Sequence, residues 1–187
     1  VSLAFKDAGL SVRNRSEQQF ARMARCSPEE RSAITRAANI AATGRIVPID
    51  TKIKTAATCQ VGLNRRISAA EITLANMLTT RGIDINQQTA VGPYNCDLTT
   101  DAVAVEIWGG YWHFYGAHAA RNEERFRYIL NAGWNVIILG VTGRYPLNES
   151  VADYVVAEIE RLRSNPPSIR EYRMIWGAGD FTSGGRL

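Results

Sequence analysis

Apolar positions along this chain recur with two periods, and the changes of period mark its elements. Ile72, Leu74, Ala75 and Leu78 form a helical stripe. Ser68 caps that helix, Glu71 stands at its third helical position, and Gly82 ends it. Strand-like runs follow at about 84–91, 94–99 and 102–108, separated by Gly92-Pro93 and by a Thr100-Asp101 turn. Residues 117–131 read as a charge-rich helix. Gly133 then precedes a strand from Trp134 to Leu139, carrying the apolar run Val136-Ile137-Ile138-Leu139. A further helix is expected from Ser150 to Arg163, and Tyr172–Trp176 as an edge strand. Helix, three strands, helix, strand, helix predicts an α/β fold, a mixed β-sheet flanked by helices.

The N-terminal third reads differently. Ser16–Arg25 suits a short helix. Ser27-Pro28-Glu29-Glu30 is a helix start, with Ser at the N-cap, Pro first and Glu third, and the helix should run to Thr43 and stop at Gly44. Residues 45–66 show no clear period and read as an extended linker. There are no internal repeats or low-complexity tracts.

Composition adds one asymmetry. The chain has 187 residues, 45% hydrophobic, enough for a sizeable core, with a net charge of +4. Residues 1–66 carry 12 Lys+Arg against 5 Asp+Glu, whereas residues 67–187 carry 10 against 13. That split predicts a basic helical N-terminal arm with linker over 1–66 and a near-neutral to acidic core over 67–187. The basic excess is either a solvated surface or an arm that tracks a polyanion. Cys26, Cys59 and Cys96 have no C-x-x-C spacing and fit free thiols in a reducing compartment. No run of 18 apolar residues predicts a membrane span, and no signal peptide is expected. The chain opens on Val1 rather than Met, which fits a piece of a longer protein.

The chemistry concentrates in Tyr94-Asn95-Cys96-Asp97 and, after eight intervening residues, Glu106-Ile107-Trp108-Gly109-Gly110-Tyr111-Trp112-His113. Two carboxylates and an imidazole fall on two adjacent short strands. Ala102-Val103-Ala104-Val105 leads straight into Glu106, so this acid ends a buried-looking strand. Acids are costly there unless they bind something, and a hard cation is the usual partner. Asp97, Glu106 and helix-borne Glu71 together make an acidic cluster, suited to metal-assisted phosphodiester cleavage. Only His113 and His118 are histidines, and no Cys/His cluster suits zinc. Bland readings stay open beside these. Asp97 also suits a turn, Glu106 an arginine partner, Glu71 a capping box alone, and His113 a structural role. Trp108, Tyr111 and Trp112 suit a core. His118 suits a surface near a helix start, and Arg121, Arg125 and Arg127 a solvated helix face.

Glu71, Asp97, Glu106-Ile107-Trp108, Trp112-His113, Arg125 and Gly133-Trp134 together resemble the PD-(D/E)XK nuclease superfamily. The nearest branch resembles the very-short-patch mismatch repair endonucleases and the related phage-encoded Glu-Asp-x-His-Asp homing endonucleases. The resemblance covers roughly residues 68–140. It implies a restriction-endonuclease-like core, with Asp97 as central metal ligand and Glu106 at the second acidic position. Trp108 stands where the superfamily's lysine would, and also where the repair branch has a further histidine. His113 matches the branch's catalytic histidine, and Trp112 its base-wedging aromatic. The last acidic position falls at Asn122, beside Glu123 and Glu124.

The resemblance and the residues together predict a metal-dependent DNA endonuclease acting on duplex DNA. Asp97, His113, Glu71 and Glu106 would be catalytic. Asp97, Glu106 and Glu71 would hold Mg²⁺, with Mn²⁺ as substitute. Trp112, Arg65, Arg66, Lys52, Lys54, Arg121 and Arg125 would contact DNA. Site-specific cleavage, as in a homing endonuclease, is the preferred reading. The alternatives are a mismatch nickase and a DNA-binding domain with an inactive site. A homodimer is one way to cut both strands. The expected setting is cytoplasmic, in a bacterial host or encoded by its phage.

Overall fold

A computed structural model describes residues 15–62, 67–110, 113, 116–164, 166, 169–176 and 181–186. The chain divides into two compact units, Val1–Ile46 and Val47–Leu187. In the first, helix α1 spans Arg15–Arg25 and α2 spans Pro28–Ala42. Ser27 starts α2 with a capping box: its hydroxyl accepts from the Glu30 N–H (3.2 Å), and its own N–H donates to Glu30 Oε2 (2.8 Å). No residue of α2 is buried.

The second unit begins with helix α3, Ile49–Val61, inside the stretch expected to be extended linker. Among its residues only Ala56 is buried, so it has no apolar stripe for a periodicity argument to find. Tertiary bonds hold it instead. Gln60 Oε1 accepts from the Ala90 N–H (3.0 Å), and Asn95 Nδ2 donates to the Ala56 carbonyl (2.9 Å).

Helix α4 spans Ala69–Thr80. Ser68 and Glu71 form the expected capping box, and Gly82 (φ +82°) follows the C-cap, with Ile83 N–H returning to the Leu78 carbonyl. One position of its expected stripe is corrected. Ile72 is 48% exposed, and the buried face runs Glu71, Leu74, Ala75, Leu78. Those are the i, i+3, i+4, i+7 positions, so the inward position beside Ile72 belongs to an acid.

Strands β1 (Asn86–Val91), β2 (Tyr94–Thr100) and β3 (Val103–Gly109) form an antiparallel meander. Helix α5 (Gly116–Asn131) crosses to β4 (Asn135–Val141), parallel to β3. Helix α6 (Glu149–Arg163) crosses to β5 (Glu171–Trp176), parallel to β4. The six-stranded sheet runs β1-β2-β3-β4-β5-β6. Its last strand, β6 (Phe181–Arg186), pairs antiparallel with β5. The stretch 172–176, expected at an edge, is therefore an interior strand. Strand β6 contains Gly184-Gly185 and carries little strand propensity. Gly185 is required all the same, because a Cβ there would come 2.7 Å from the Tyr172 ring.

The helices take opposite faces. Leu74, Leu78 and, from α6, Val151, Val155, Ile159 and Leu162 pack with Leu98, Val103, Val105, Ile137 and Leu139. On the other face Ile129 and Leu130 of α5 pack with Cys96, Ala104, Trp108, Val136 and Ile138. The Gly92-Pro93 turn joins β1 to β2, and Gly92 (φ +58°) lies so close under the Tyr128 ring of α5 that no Cβ fits.

Leu74 has no exposure and Ile72 is half exposed, so truncating each to alanine separates the two readings of α4. Leu74→Ala should cost about 2–5 kcal/mol in urea unfolding, and Ile72→Ala less than about 1 kcal/mol. Equal losses would contradict the placement of α4.

Candidate active site

The site begins where the sheet stops being regular. Strands β2 and β3 pair at Thr100↔Val103, Thr99↔Ala104 and Leu98↔Val105, and the ladder ends there. The next backbone donor of β3, the Ile107 N–H, bonds instead to Asp97 Oδ2 (2.8 Å). A side-chain carboxylate thus takes the place of a strand carbonyl. On the other side of β2, Gln88 adopts a left-handed conformation (φ +52°) opposite Asp97. Across this irregularity Cys96 and Leu98, two residues apart, enter opposite cores. The break leaves Asp97 in a strand rather than in a turn, and turns its carboxyl toward the end of β3.

One cleft of about 320 Å³ is lined by Ser68, Glu71, Asp97, Glu106, His113 and Arg125, among others. Four elements supply them: the start of α4, β2, β3 and α5, with His113 from the β3–α5 connection. Glu71 keeps its capping role, with Oε1 accepting from the Ser68 N–H (3.0 Å). Its Oε2 accepts from Gln88 Nε2 (2.9 Å). The cap also places this acid at the cleft. Glu106 is 1% exposed and pairs with Arg125 Nη2 at 2.6 Å. The expected solvated or DNA-facing side of α5 therefore does not include Arg125, whose Nη2 also donates to the Asn95 carbonyl.

Burial governs the electrostatics of the cleft. Burial pushes the Asp97 carboxyl up to about 6, with the Glu71 carboxylate adding to the push against the Ile107 N–H and Arg125. Burial pushes Glu106 up to about 8, against the pull of Arg125. Burial, followed by His118 and Arg125, lowers the His113 imidazole below its ordinary value, which favours the neutral ring. That ring stacks on Trp108 (centroids 5.1 Å, planes 11° apart), and Trp108 stacks on Phe126 (5.5 Å, 25°). Asn122 Nδ2 donates to the His113 carbonyl (2.9 Å), fixing the backbone that carries the ring.

The remaining expected residues lie elsewhere. Lys52 and Lys54 are exposed on α3, and Arg121 is exposed on α5, as is His118. Glu124 is exposed, and Glu123 pairs with Arg127 at 3.0 Å on the helix surface. Arg65, Arg66, Tyr111 and Trp112 lie outside the described residues. Gln88 and Asn95 were not anticipated as site supports. Asn95 was visible as a polar residue two before Asp97, but the left-handed Gln88 had no signal. Among the described residues no three Asp, Glu, His or Cys side chains close round one point tightly enough to hold a metal ion. The oxygens that line the cleft are carboxylate oxygens, the donor type a hard cation takes. No protein-family model matches the chain, and no curated protein matches it.

The raised Asp97 pKa carries a stability cost with a definite sign. The folded state holds its proton up to about 6 whereas the free carboxyl loses it near 3.8, so stability falls as pH rises through that window. The difference corresponds to about 3 kcal/mol. Asp97→Asn keeps an oxygen for the Ile107 N–H and removes the titration. In urea unfolding without divalent ions, the variant should be more stable than wild type at pH 7 and should lose its advantage by pH 4. A stability difference that does not change with pH would contradict the burial of a strained acid here.

Proposed function

We propose that the unit Val47–Leu187 is a divalent-metal-dependent DNA endonuclease with a restriction-endonuclease-like core. The observation that supports this most is the convergence of Asp97, Glu106, Glu71 and His113 on one cleft where β2 and β3 part. Asp97 and Glu106 would hold Mg²⁺ or Mn²⁺. Glu71, with both oxygens already hydrogen-bonded, would steady the acidic wall beside the ion. The ion would supply positive charge for the phosphorane-like transition state and lower the pKa of a bound water.

The chain's own residues do the rest. The neutral His113 accepts the proton of the attacking water, and its lowered pKa keeps it competent at and below neutral pH. Trp108 holds the ring by stacking, and Asn122 holds its backbone. Arg125 offsets the charge of Glu106, so two buried acids do not face a phosphate unrelieved. No lysine follows Glu106 at the superfamily's usual spacing, and His113 answers for it.

Duplex DNA is the proposed substrate, cut at a specific site as a homing endonuclease cuts. A mismatch nickase is the nearer alternative. A panel of sites against G·T mismatches separates the two. One observation favours a third reading, a DNA-binding domain without activity: the Glu106–Arg125 pair occupies an oxygen that a metal would need.

Mg²⁺-dependent nicking of plasmid DNA decides between enzyme and binder. Asp97→Ala should abolish nicking and leave DNA binding equal or tighter, since a charge facing phosphate is removed. His113→Ala should lose most of the rate, about 10²-fold or more, and the rise of rate with pH that a general base imposes. His118→Ala should be mild. Nicking by Asp97→Ala within about tenfold of wild type, or a severe His118→Ala, would overturn these assignments.

A further inference from the structure

Beside the acid cleft lies a second cavity, of about 510 Å³, that the proposed chemistry does not use. Its floor is Ile138 of β4 with Tyr172 and Met174 of β5, and α5 forms one wall through Ala119, Asn122, Phe126 and Leu130. Trp108 and His113 line both cavities. They form the partition: the acids stand on one side of the stacked pair, and an aromatic-walled groove opens on the other. The groove lies on the α5 face of the sheet, where Trp108, Ile138 and Met174 all project. Phe126 also stacks on Trp108.

We infer that this groove receives a nucleobase of the strand whose phosphate lies in the acid cleft. The inference rests on the nuclease reading and names what that site does with the base. Three features support it. The partition places a base-sized space directly beside the group proposed to activate water. The lining is flat and apolar at its floor and wall, as base stacking requires, with Trp108, Phe126 and Tyr172 presenting rings. A few polar groups join this lining: the Asn122 amide, and the Glu123–Arg127 pair at 3.0 Å. An apolar slot with a few hydrogen-bonding groups is how proteins hold a base taken out of its stack.

Seating a base here would position the adjacent phosphate without touching the acids. It would also explain why the imidazole is stacked on Trp108 rather than left to rotate. Ala119 offers a way to close the groove alone. It is half-buried on the first turns of α5 and does not line the acid cleft. Ala119→Trp fills the groove and leaves Asp97, Glu106, Glu71 and His113 in place.

The test uses the full chain with the four deoxynucleoside 5′-monophosphates and, as control, 2-deoxyribose 5-phosphate, titrated in Ca²⁺ and followed by tryptophan fluorescence and calorimetry. Nucleotides should bind at least about tenfold more tightly than the sugar phosphate, a difference of about 1.4 kcal/mol. Ala119→Trp, with an unchanged circular dichroism spectrum, should bring nucleotides down to the level of the sugar phosphate and leave the sugar phosphate itself unaffected. Equal binding of nucleotide and sugar phosphate, no binding of either, or unimpaired nucleotide binding by Ala119→Trp would overturn the base pocket. Plasmid nicking measured alongside separates the two claims. A chain that nicks but shows no base dependence loses the pocket alone, and one that binds bases but never nicks loses the nuclease reading and keeps the pocket.

Discussion

The buried pair of Glu106 and Arg125 is the interaction on which the rest of this unit depends. Glu106 is 1% exposed in the middle of a central strand, where an acid must be paired or held protonated. Arg125 supplies it across the gap between α5 and β3, and its Nη2 also reaches the Asn95 carbonyl on β2. The Asn95 amide in turn donates to the Gln88 carbonyl and to Ala56 in α3. One guanidinium therefore ties α5 to two strands and, through Asn95, to a helix with almost no apolar anchor of its own. Removing one partner of such a pair leaves an uncompensated buried charge, typically a loss of about 3–5 kcal/mol.

Around that node the fold accepts local cost. The β2–β3 ladder stops at Leu98↔Val105, Gln88 takes a left-handed conformation, and Asp97 is held as an acid in a place that favours its protonated form. Each would be easy to remove. A regular strand with an apolar residue at position 97 would satisfy the Ile107 N–H by backbone pairing and bury no charge. Costs gathered at one cleft are the pattern expected of a binding or catalytic role.

Much of this was legible in the sequence, for physical reasons that differ by element. Helix α4 announced itself through Ser68, Glu71 and Gly82, because caps are local chemistry. Strands β3 and β4 were visible because both faces are buried and their apolar runs are continuous. Helix α3 was not, since it buries only Ala56 and is held by Gln60 and Asn95, bonds between residues 30 and 39 apart. Strand β6 was hidden by its glycines, one of which exists to pass the Tyr172 ring. At the site, Asp97, Glu106 and His113 could be singled out by type and spacing. That Glu71 lies on the inward stripe in place of Ile72, and that Arg125 turns inward, depend on how α4 and α5 are rotated against the sheet, which local patterns leave open.

We propose that the acids of this cleft hold a divalent cation. If so, binding must expel protons, because a metal ligand is a deprotonated carboxylate. Calorimetric titration with Mn²⁺ near pH 6, in buffers of different ionisation enthalpy, counts those protons directly. Saturable binding with net proton release is expected, with loss of both in Asp97→Asn. Binding that releases no protons, or that survives Asp97→Asn unchanged, would contradict it.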